Sequence, residues 1–74
     1  MGNVQHEAKS VNLSTTTITA DYPIAGNGFA IWAYYQGQLI ARGVGYTVGA
    51  DFRTLTLLFI PANGTTIDLI YIRG

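Results

Sequence analysis

The sequence has no cysteine, which excludes disulfide bonds and removes every thiolate ligand for a metal. With a single histidine as well, the ligand set of an ordinary structural zinc site is missing. A domain of 74 residues buries only about 60% of the surface that its unfolded chain exposes. Since neither disulfides nor a metal can supply the missing stability, we predict no cofactor and a homo-oligomer, with a trimer as the expected form.

Charged residues are also scarce. Asp, Glu, Lys and Arg make up 11% of the chain and hydrophobic residues 49%, whereas an average soluble domain is about 25% charged. Four basic residues balance four acidic ones, and a net charge near zero favours association. No cluster of basic residues is present, so we predict that nucleic acid is not a partner, because phosphates are held by clustered Lys and Arg.

Long apolar runs and helical periodicity are absent as well. No apolar run approaches the ~18 residues of a membrane helix, and the N-terminus lacks the basic and apolar segments of a secretory signal. We therefore predict no membrane partner. The chain consists instead of short runs of β-branched and aromatic residues separated by Gly, Asn and Pro, a pattern typical of strands joined by tight turns.

This pattern predicts an all-β fold, a small antiparallel β-sandwich or barrel formed by residues 11–74 as a single domain. Residues 1–10 are polar and follow no period, so we expect them to form an extended N-terminal arm that reaches a neighbouring protein. Short strands are predicted at residues 29–36, 38–42 and 46–48. One or two more are predicted within residues 11–24, with a break near residues 15–17.

The strongest turn signal is Asn63-Gly64, which separates the apolar runs at residues 55–60 and 67–72. An Asn-Gly pair accepts the positive φ angles that a two-residue hairpin turn requires. The sequence therefore predicts that these two runs form a hairpin.

Several of the predicted strands are apolar on both faces. In the strand at residues 29–36, Ala33 and Tyr35 alternate with Trp32 and Tyr34. A strand of this kind is covered on both sides, by the core on one and by a second sheet, a loop or another subunit on the other. The side chains that we expect at an interface or binding surface are Trp32, Tyr34, Tyr35, Leu58, Ile60, Ile70 and Ile72.

Three stretches of turn and strand residues follow one another in the second half of the chain. They are residues 35–39 (YQGQL), residues 43–48 (GVGYTV) and residues 61–64 (PANG). Their succession is similar to that in small β-sandwich modules of tailed-bacteriophage virion proteins, which occur in tail fibres and in neck and head appendages. One departure is Gly45, where the family usually has Asp before the Tyr, so capping by that side chain is missing.

The resemblance implies a structural role in a virion and no catalytic residues. Its expected partners are copies of itself and another shell or tail protein. Because the chain begins with Met1 and ends at Gly74, we expect a complete small product, either a capsid decoration or cement subunit or a small tail or fibre component.

Residues that could carry catalysis are few. His6 has only Glu7 beside it in the polar N-terminal segment, and no nucleophile motif or phosphate-binding loop is present. A pair of carboxylates could cleave glycosides if a cleft brought them together. The candidates for such a pair are Asp21, Asp51 and Asp68. We expect Asp68 to pair with Arg53 or Arg73 across the sheet instead, and we predict that the protein is not an enzyme.

Aromatic side chains allow an alternative function. Flat rings beside polar groups can stack on sugars, and Trp32 and Tyr34 alternate on one strand face beside Gln36. The alternative is a carbohydrate-binding module that recognises host surface glycans. The competing interpretation is that these rings belong to the core and to subunit interfaces, where aromatic residues are enriched.

Overall fold

The computed structural model describes residues 4–74. The predicted all-β fold is confirmed, since the described residues form seven strands. Residues 4–74 include no helix long and apolar enough to cross a membrane. The strands are β1 (Val4–Val11), β2 (Thr17–Thr19), β3 (Ile31–Tyr35), β4 (Gln38–Ile40), β5 (Tyr46–Val48), β6 (Thr54–Leu57) and β7 (Thr65–Ile72).

The strands form two antiparallel sheets. The larger sheet has four strands in the order β1-β7-β3-β4, and the smaller has three in the order β2-β6-β5. Side chains from both sheets share one core, as in a small β-sandwich. The largest fully buried side chains are Tyr46, Leu55, Pro61, Ile67, Leu69 and Tyr71.

Strand β7 is an inner strand of the larger sheet. Every second residue of β7 is apolar and faces the core. Ile67, Leu69 and Tyr71 are fully buried, and the residues between them point away from the core. One edge of β7 pairs with β1 and the other with β3. This strand therefore fixes the register of its two neighbours.

Strands β3 and β4 form the tight hairpin of the molecule. Tyr35 pairs with Gln38, so Gln36 and Gly37 are the two turn residues, with φ angles of 51° and 80°. Positive φ at both positions gives a turn whose twist matches the strands that it joins. This turn separates the strands predicted at residues 29–36 and 38–42, and β3 begins at Ile31 and not at residue 29.

The predicted hairpin of residues 55–60 and 67–72 is wrong. A turn does form at Asn63-Gly64, and Gly64 has a φ angle of 75°. However, β6 pairs with β2 and β5, while β7 pairs with β1 and β3. The segment that contains the turn thus crosses from one sheet to the other.

Contacts from distant parts of the chain hold this crossing segment. The side-chain oxygen of Asn63 accepts a hydrogen bond from the backbone N–H of Leu13 (3.0 Å). The backbone N–H of Ala62 donates to the Tyr35 hydroxyl (2.8 Å). These bonds, which no local pattern predicts, replace the strand pairing that an Asn-Gly turn normally accompanies.

The extended N-terminal arm is not confirmed. Val4–Val11 forms β1, which pairs with β7 at every position, so the expected boundary after residue 10 falls inside a strand. The first three residues of the expected arm lie outside the described residues. The alternation typical of a strand is hidden in the sequence because the partly buried positions are polar. These positions are Gln5, Glu7 and Lys9.

Glu7 is the centre of a polar network under β1. Its Oε2 accepts a hydrogen bond from the Tyr71 hydroxyl (2.5 Å), and its Oε1 accepts one from the backbone N–H of Asp21 (3.1 Å). The Lys9 ammonium lies 3.3 Å from Glu7 Oε1 and donates to Asp21 (3.1 Å). Burial and the Glu7 carboxylate raise the pKa of Tyr71 to about 12. The network ties β1 to β7 and to the segment that follows β2.

Candidate functional site: the outer face of the four-stranded sheet

Two neighbouring strands of the larger sheet present large apolar side chains away from the core. On β3, Ile31 and Ala33 are buried, so Trp32 and Tyr34 between them point outward. On β7 the same alternation turns Ile70 and Ile72 outward. Trp32 lies directly opposite Ile70 in the register of the two strands. The alternation of both strands therefore builds one continuous apolar surface.

The edge strands extend this surface. On β1, Val4 lies opposite Ile72, and on β4, Leu39 lies opposite Tyr34. Val4 and Leu39 are each 59% exposed, and Trp32 is 48% exposed. We call this surface the outer face and define it by the residues Val4, Trp32, Tyr34, Leu39, Ile70 and Ile72.

Few polar groups interrupt the outer face. Asp68 lies between Ala8 of β1 and Tyr34 of β3, and His6 of β1 lies opposite Ile70. Contiguous exposed apolar surface of this kind marks binding sites and interfaces. Each square ångström that an interface removes from water contributes roughly 25 cal/mol. Burial of the outer face therefore favours association over an isolated protomer.

The opposite outer surface, that of the smaller sheet, has a different character. Thr17 of β2 and Thr47 of β5 both lie opposite Thr56 of β6, and Thr19 lies opposite Thr54. Hydroxyl groups remain hydrated without a partner protein. Strands that are apolar on both sides are therefore a property of the larger sheet, and the outer face is the stronger candidate for an interface.

Four of the seven predicted interface residues meet on the outer face, namely Trp32, Tyr34, Ile70 and Ile72. Tyr35 does not join them, because it points to the opposite side of β3. Its ring centroid lies 4.9 Å from that of Phe59, and its hydroxyl accepts the Ala62 N–H. Tyr35 thus holds the crossing segment in place.

Leu58 and Ile60 are exposed but lie elsewhere. Leu58 is 49% exposed and Ile60 is 77% exposed. Both belong to the segment that links β6 to β7, and neither is part of a strand of the larger sheet. The structure therefore does not bring these two residues into the outer face.

Sequence reasoning missed Val4 and Leu39 as members of the outer face. Val4 belongs to the expected arm, in which no residue has a facing partner. Leu39 could have been found, because a two-residue turn at Gln36-Gly37 requires Tyr34 and Leu39 to face each other. The signal for Leu39 is therefore the position of the turn, because it fixes which residues of β3 and β4 lie opposite each other.

The carboxylates are engaged locally. The Asp21 side chain accepts from Lys9, and Asp51 accepts from the backbone N–H groups of Thr54 (2.9 Å) and Arg53 (3.0 Å). These bonds, with that of Thr54 first, lower the pKa of Asp51 to about 2. Asp51 therefore closes the turn between β5 and β6 as an ionised group.

The expected pairing of Asp68 with an arginine is wrong. The ion pairs found within residues 4–74 join Lys9 to Glu7 and to Asp21. Arg53 donates through Nε to the Ala20 carbonyl (3.1 Å), and the Arg73 guanidinium stacks on an aromatic ring. The part of the chain that the structure describes contains no pocket and no cluster of three or more metal-ligating side chains.

Comparison of the chain with protein-family models, curated proteins and solved structures gives no match. The outer face must therefore be interpreted from its own chemistry. That chemistry is the exposure of aromatic and aliphatic side chains on one face of a sheet.

The turn and strand motifs of the second half of the chain occupy turns and strands of this fold. Residues 35–39 form the β3–β4 hairpin, and residues 43–48 form a loop and β5. At Gly45 a Cβ atom would meet Ile40 Cβ at 3.0 Å, closer than nearly all such contacts. The close approach of Ile40 gives a local reason for glycine at this position.

Proposed function

We propose that the protein is a non-enzymatic structural subunit that assembles with copies of itself through the outer face. The observation that carries the proposal is the register of β3 and β7, which sets Trp32 against Ile70 in the middle of an exposed apolar surface. Aromatic residues are enriched and charges depleted at the centre of protein interfaces. The outer face has this composition, with Asp68 and His6 as its ionisable groups.

The scarcity of charge supports the same proposal. A chain with 11% charged residues has little charge with which to keep two apolar surfaces apart. An interface between copies would remove Trp32, Ile70 and Ile72 from water together. A trimer is the form that we propose, and a larger body such as a shell or tail protein could cover part of the same face.

We further propose that the assembly belongs to a tailed-bacteriophage virion, as a capsid decoration subunit or as a tail or fibre component. This part is supported by the turn and strand motifs at residues 35–39, 43–48 and 61–64. In the fold, each motif contributes a turn, a strand end or a crossing that shapes the sandwich. The proposed location of the protein is therefore the virion, with another virion protein as its second partner.

The second candidate function is recognition of host glycans. Trp32 and Tyr34 are two residues apart on the same face, which separates them by about 7 Å along the strand, and the Asp68 carboxylate lies opposite Tyr34. Two rings beside a hydrogen-bond acceptor could stack on and orient a sugar. This arrangement favours glycan binding as the alternative to assembly.

Assembly is tested by Ile70→Glu, which places a charge at the centre of the outer face. We expect this variant to remain folded, to sediment with a smaller mass than the wild type, and to be missing from phage particles with which the wild type co-purifies. The matched control is Val44→Glu. Val44 is 77% exposed on the loop between β4 and β5, so this variant should assemble normally. Equal masses for wild type and Ile70→Glu would contradict the proposal.

The glycan alternative predicts a different result. A glycan array should show binding by the wild type and loss of that binding for Trp32→Ala, while the oligomeric mass of Ile70→Glu stays as in the wild type. Glycan binding that survives Trp32→Ala would reject the two-ring platform. Absence of glycan binding, together with a reduced mass for Ile70→Glu, would leave assembly as the function.

A further inference from the structure

Strand β1 has a long free edge. It is an outer strand of the larger sheet and has eight residues, whereas the other edge strands β2, β4 and β5 have three each. Its pairing with β7 runs without a bulge from Val4 to Val11. Within residues 4–74, the hydrogen bonds of the β1 backbone all run to β7. The other side of β1 therefore offers a row of backbone donors and acceptors to an incoming strand.

The side chains of β1 restrict which strand can be added. Glu7 and Lys9 point toward the second sheet, and inward-pointing charges on an edge strand disfavour pairing with an apolar strand. Glu7 and Lys9 already pair with each other within one copy (3.3 Å), and a strand that carries the opposite charges at the opposing positions would extend this pairing across the new contact. A second copy of β1 is such a strand, because its Glu7 and Lys9 are two residues apart on one face and can lie opposite Lys9 and Glu7 of the first copy.

We propose that β1 pairs antiparallel with β1 of a second copy, about a two-fold axis that passes beside Ala8. In an antiparallel pair, directly opposed residues point to the same face of the sheet. The core-facing sides of the two copies therefore lie on the same side of the joined sheet only if the axis passes beside a residue and not between two residues. An axis at Ala8 sets Glu7 opposite Lys9 of the second copy, and Lys9 opposite Glu7 of the second copy.

Neighbouring registers are disfavoured by charge. An axis at Glu7 would set two carboxylates directly against each other, and an axis at Lys9 would do the same with two ammonium groups. Like charges at directly opposed positions destabilise a strand pair, whereas opposite charges stabilise it. The register at Ala8 also places two small methyl groups at the axis, where no large side chain must be accommodated.

The product is a continuous sheet of eight strands, twice the four of one protomer, in which the outer faces of two copies lie on the same side. This contact is isologous and joins two protomers. It uses the β1 edge and not the outer face of the proposed function, so either contact can fail without the other. The Glu7 network with Tyr71 and Asp21 remains in place, because the pairing adds a strand and removes none.

A single cysteine tests the register, because the chain has none of its own. Opposed residues of an antiparallel pair have Cα atoms about 4.5–5.5 Å apart, which lies within the range of a disulfide. Oxidation of Ala8→Cys should therefore convert most of the protein to a covalent dimer. Ser10→Cys is the matched control on the same face of β1. Two copies of Ser10 would lie roughly 13 Å apart in this register, so this variant should remain uncross-linked.

A mixture gives an independent check of the same register. With the axis at Ala8, residue 6 of one copy lies opposite residue 10 of the other. His6→Cys and Ser10→Cys should each fail to cross-link alone and should give the heterodimer when mixed. Equal cross-linking of Ala8→Cys and Ser10→Cys, or no heterodimer in the mixture, would overturn the inference. Cross-linking of Ala8→Cys that persists with Ile70→Glu would show that the two contacts are separate.

Discussion

Deletion of residues 1–11 is expected to unfold the protein. It removes the whole of β1, so β7 loses its pairing along one edge and the core loses Val11, which is 3% exposed. It also leaves the buried Tyr71 hydroxyl without its Glu7 acceptor. A domain of this size has only about 5–15 kcal/mol of stability, and the loss of one strand in seven exceeds what it can tolerate. Far-ultraviolet circular dichroism and thermal melting would measure the effect.

The control for this experiment is a deletion that stops before Val4 and leaves β1 intact, for which we expect a cooperative thermal transition like that of the full chain. An extended arm makes the opposite prediction for the longer deletion, namely that folding is kept and only a partner is lost. A cooperative transition in the chain that begins at residue 12 would contradict the assignment of β1 to the sheet.

Leu69→Ala is expected to destabilise the protomer by about 2–5 kcal/mol, the usual cost of truncating a buried leucine. Leu69 is fully buried between the sheets, so the substitution removes apolar contacts and leaves a cavity. Its neighbour Ile70 lies on the outer face, and Ile70→Ala is the matched control. Urea denaturation of both variants, at a concentration where each is monomeric, would compare their free energies of unfolding.

The pair of variants also separates folding from association. Ile70→Ala should unfold at nearly the same urea concentration as the wild-type monomer, yet its stability should depend less on protein concentration, because association stabilises the folded state. If Leu69→Ala and Ile70→Ala lowered the free energy of unfolding equally, the division of β7 into a core face and an outer face would be wrong.

The fold class could be predicted because its signals are local. Alternation in residues 67–72 and the turn at Gln36-Gly37 each depend on a few neighbouring positions of the chain, and both are present in the structure. The partner of each strand is not a local property. Asn63-Gly64 specifies a turn. Whether β7 then pairs with β6 or joins the other sheet depends on the contacts that Tyr35 and Leu13 make with residues 62 and 63.

Strand β1 was not predicted, for a related reason. Its inward positions carry Gln5, Glu7 and Lys9, which look like an exposed polar segment in the sequence. Glu7 and Lys9 are tolerated beside the core because Tyr71 and Asp21, which lie elsewhere in the chain, complete their hydrogen bonds. No periodic pattern in residues 1–10 indicates hydrogen-bond partners that lie elsewhere in the chain.

The outer face was predictable in part. Trp32, Tyr34, Ile70 and Ile72 share a face as soon as β3 and β7 are known to be neighbours, and alternation alone fixes their direction. The role of Tyr35 is not predictable, because its hydroxyl binds a backbone group that lies beyond three intervening strands. The interpretation of strands as apolar on both sides holds for the larger sheet and not for the threonine-covered smaller one.

The central claim is that the outer face is buried between copies of the protein. Sedimentation of the wild type over a range of micromolar concentrations measures this directly. We predict a concentration-dependent oligomer with a limiting mass of several protomers, and loss of that mass for Ile70→Glu but not for Val44→Glu. A wild-type protein that sediments as a monomer of 8.0 kDa at every concentration would contradict the account.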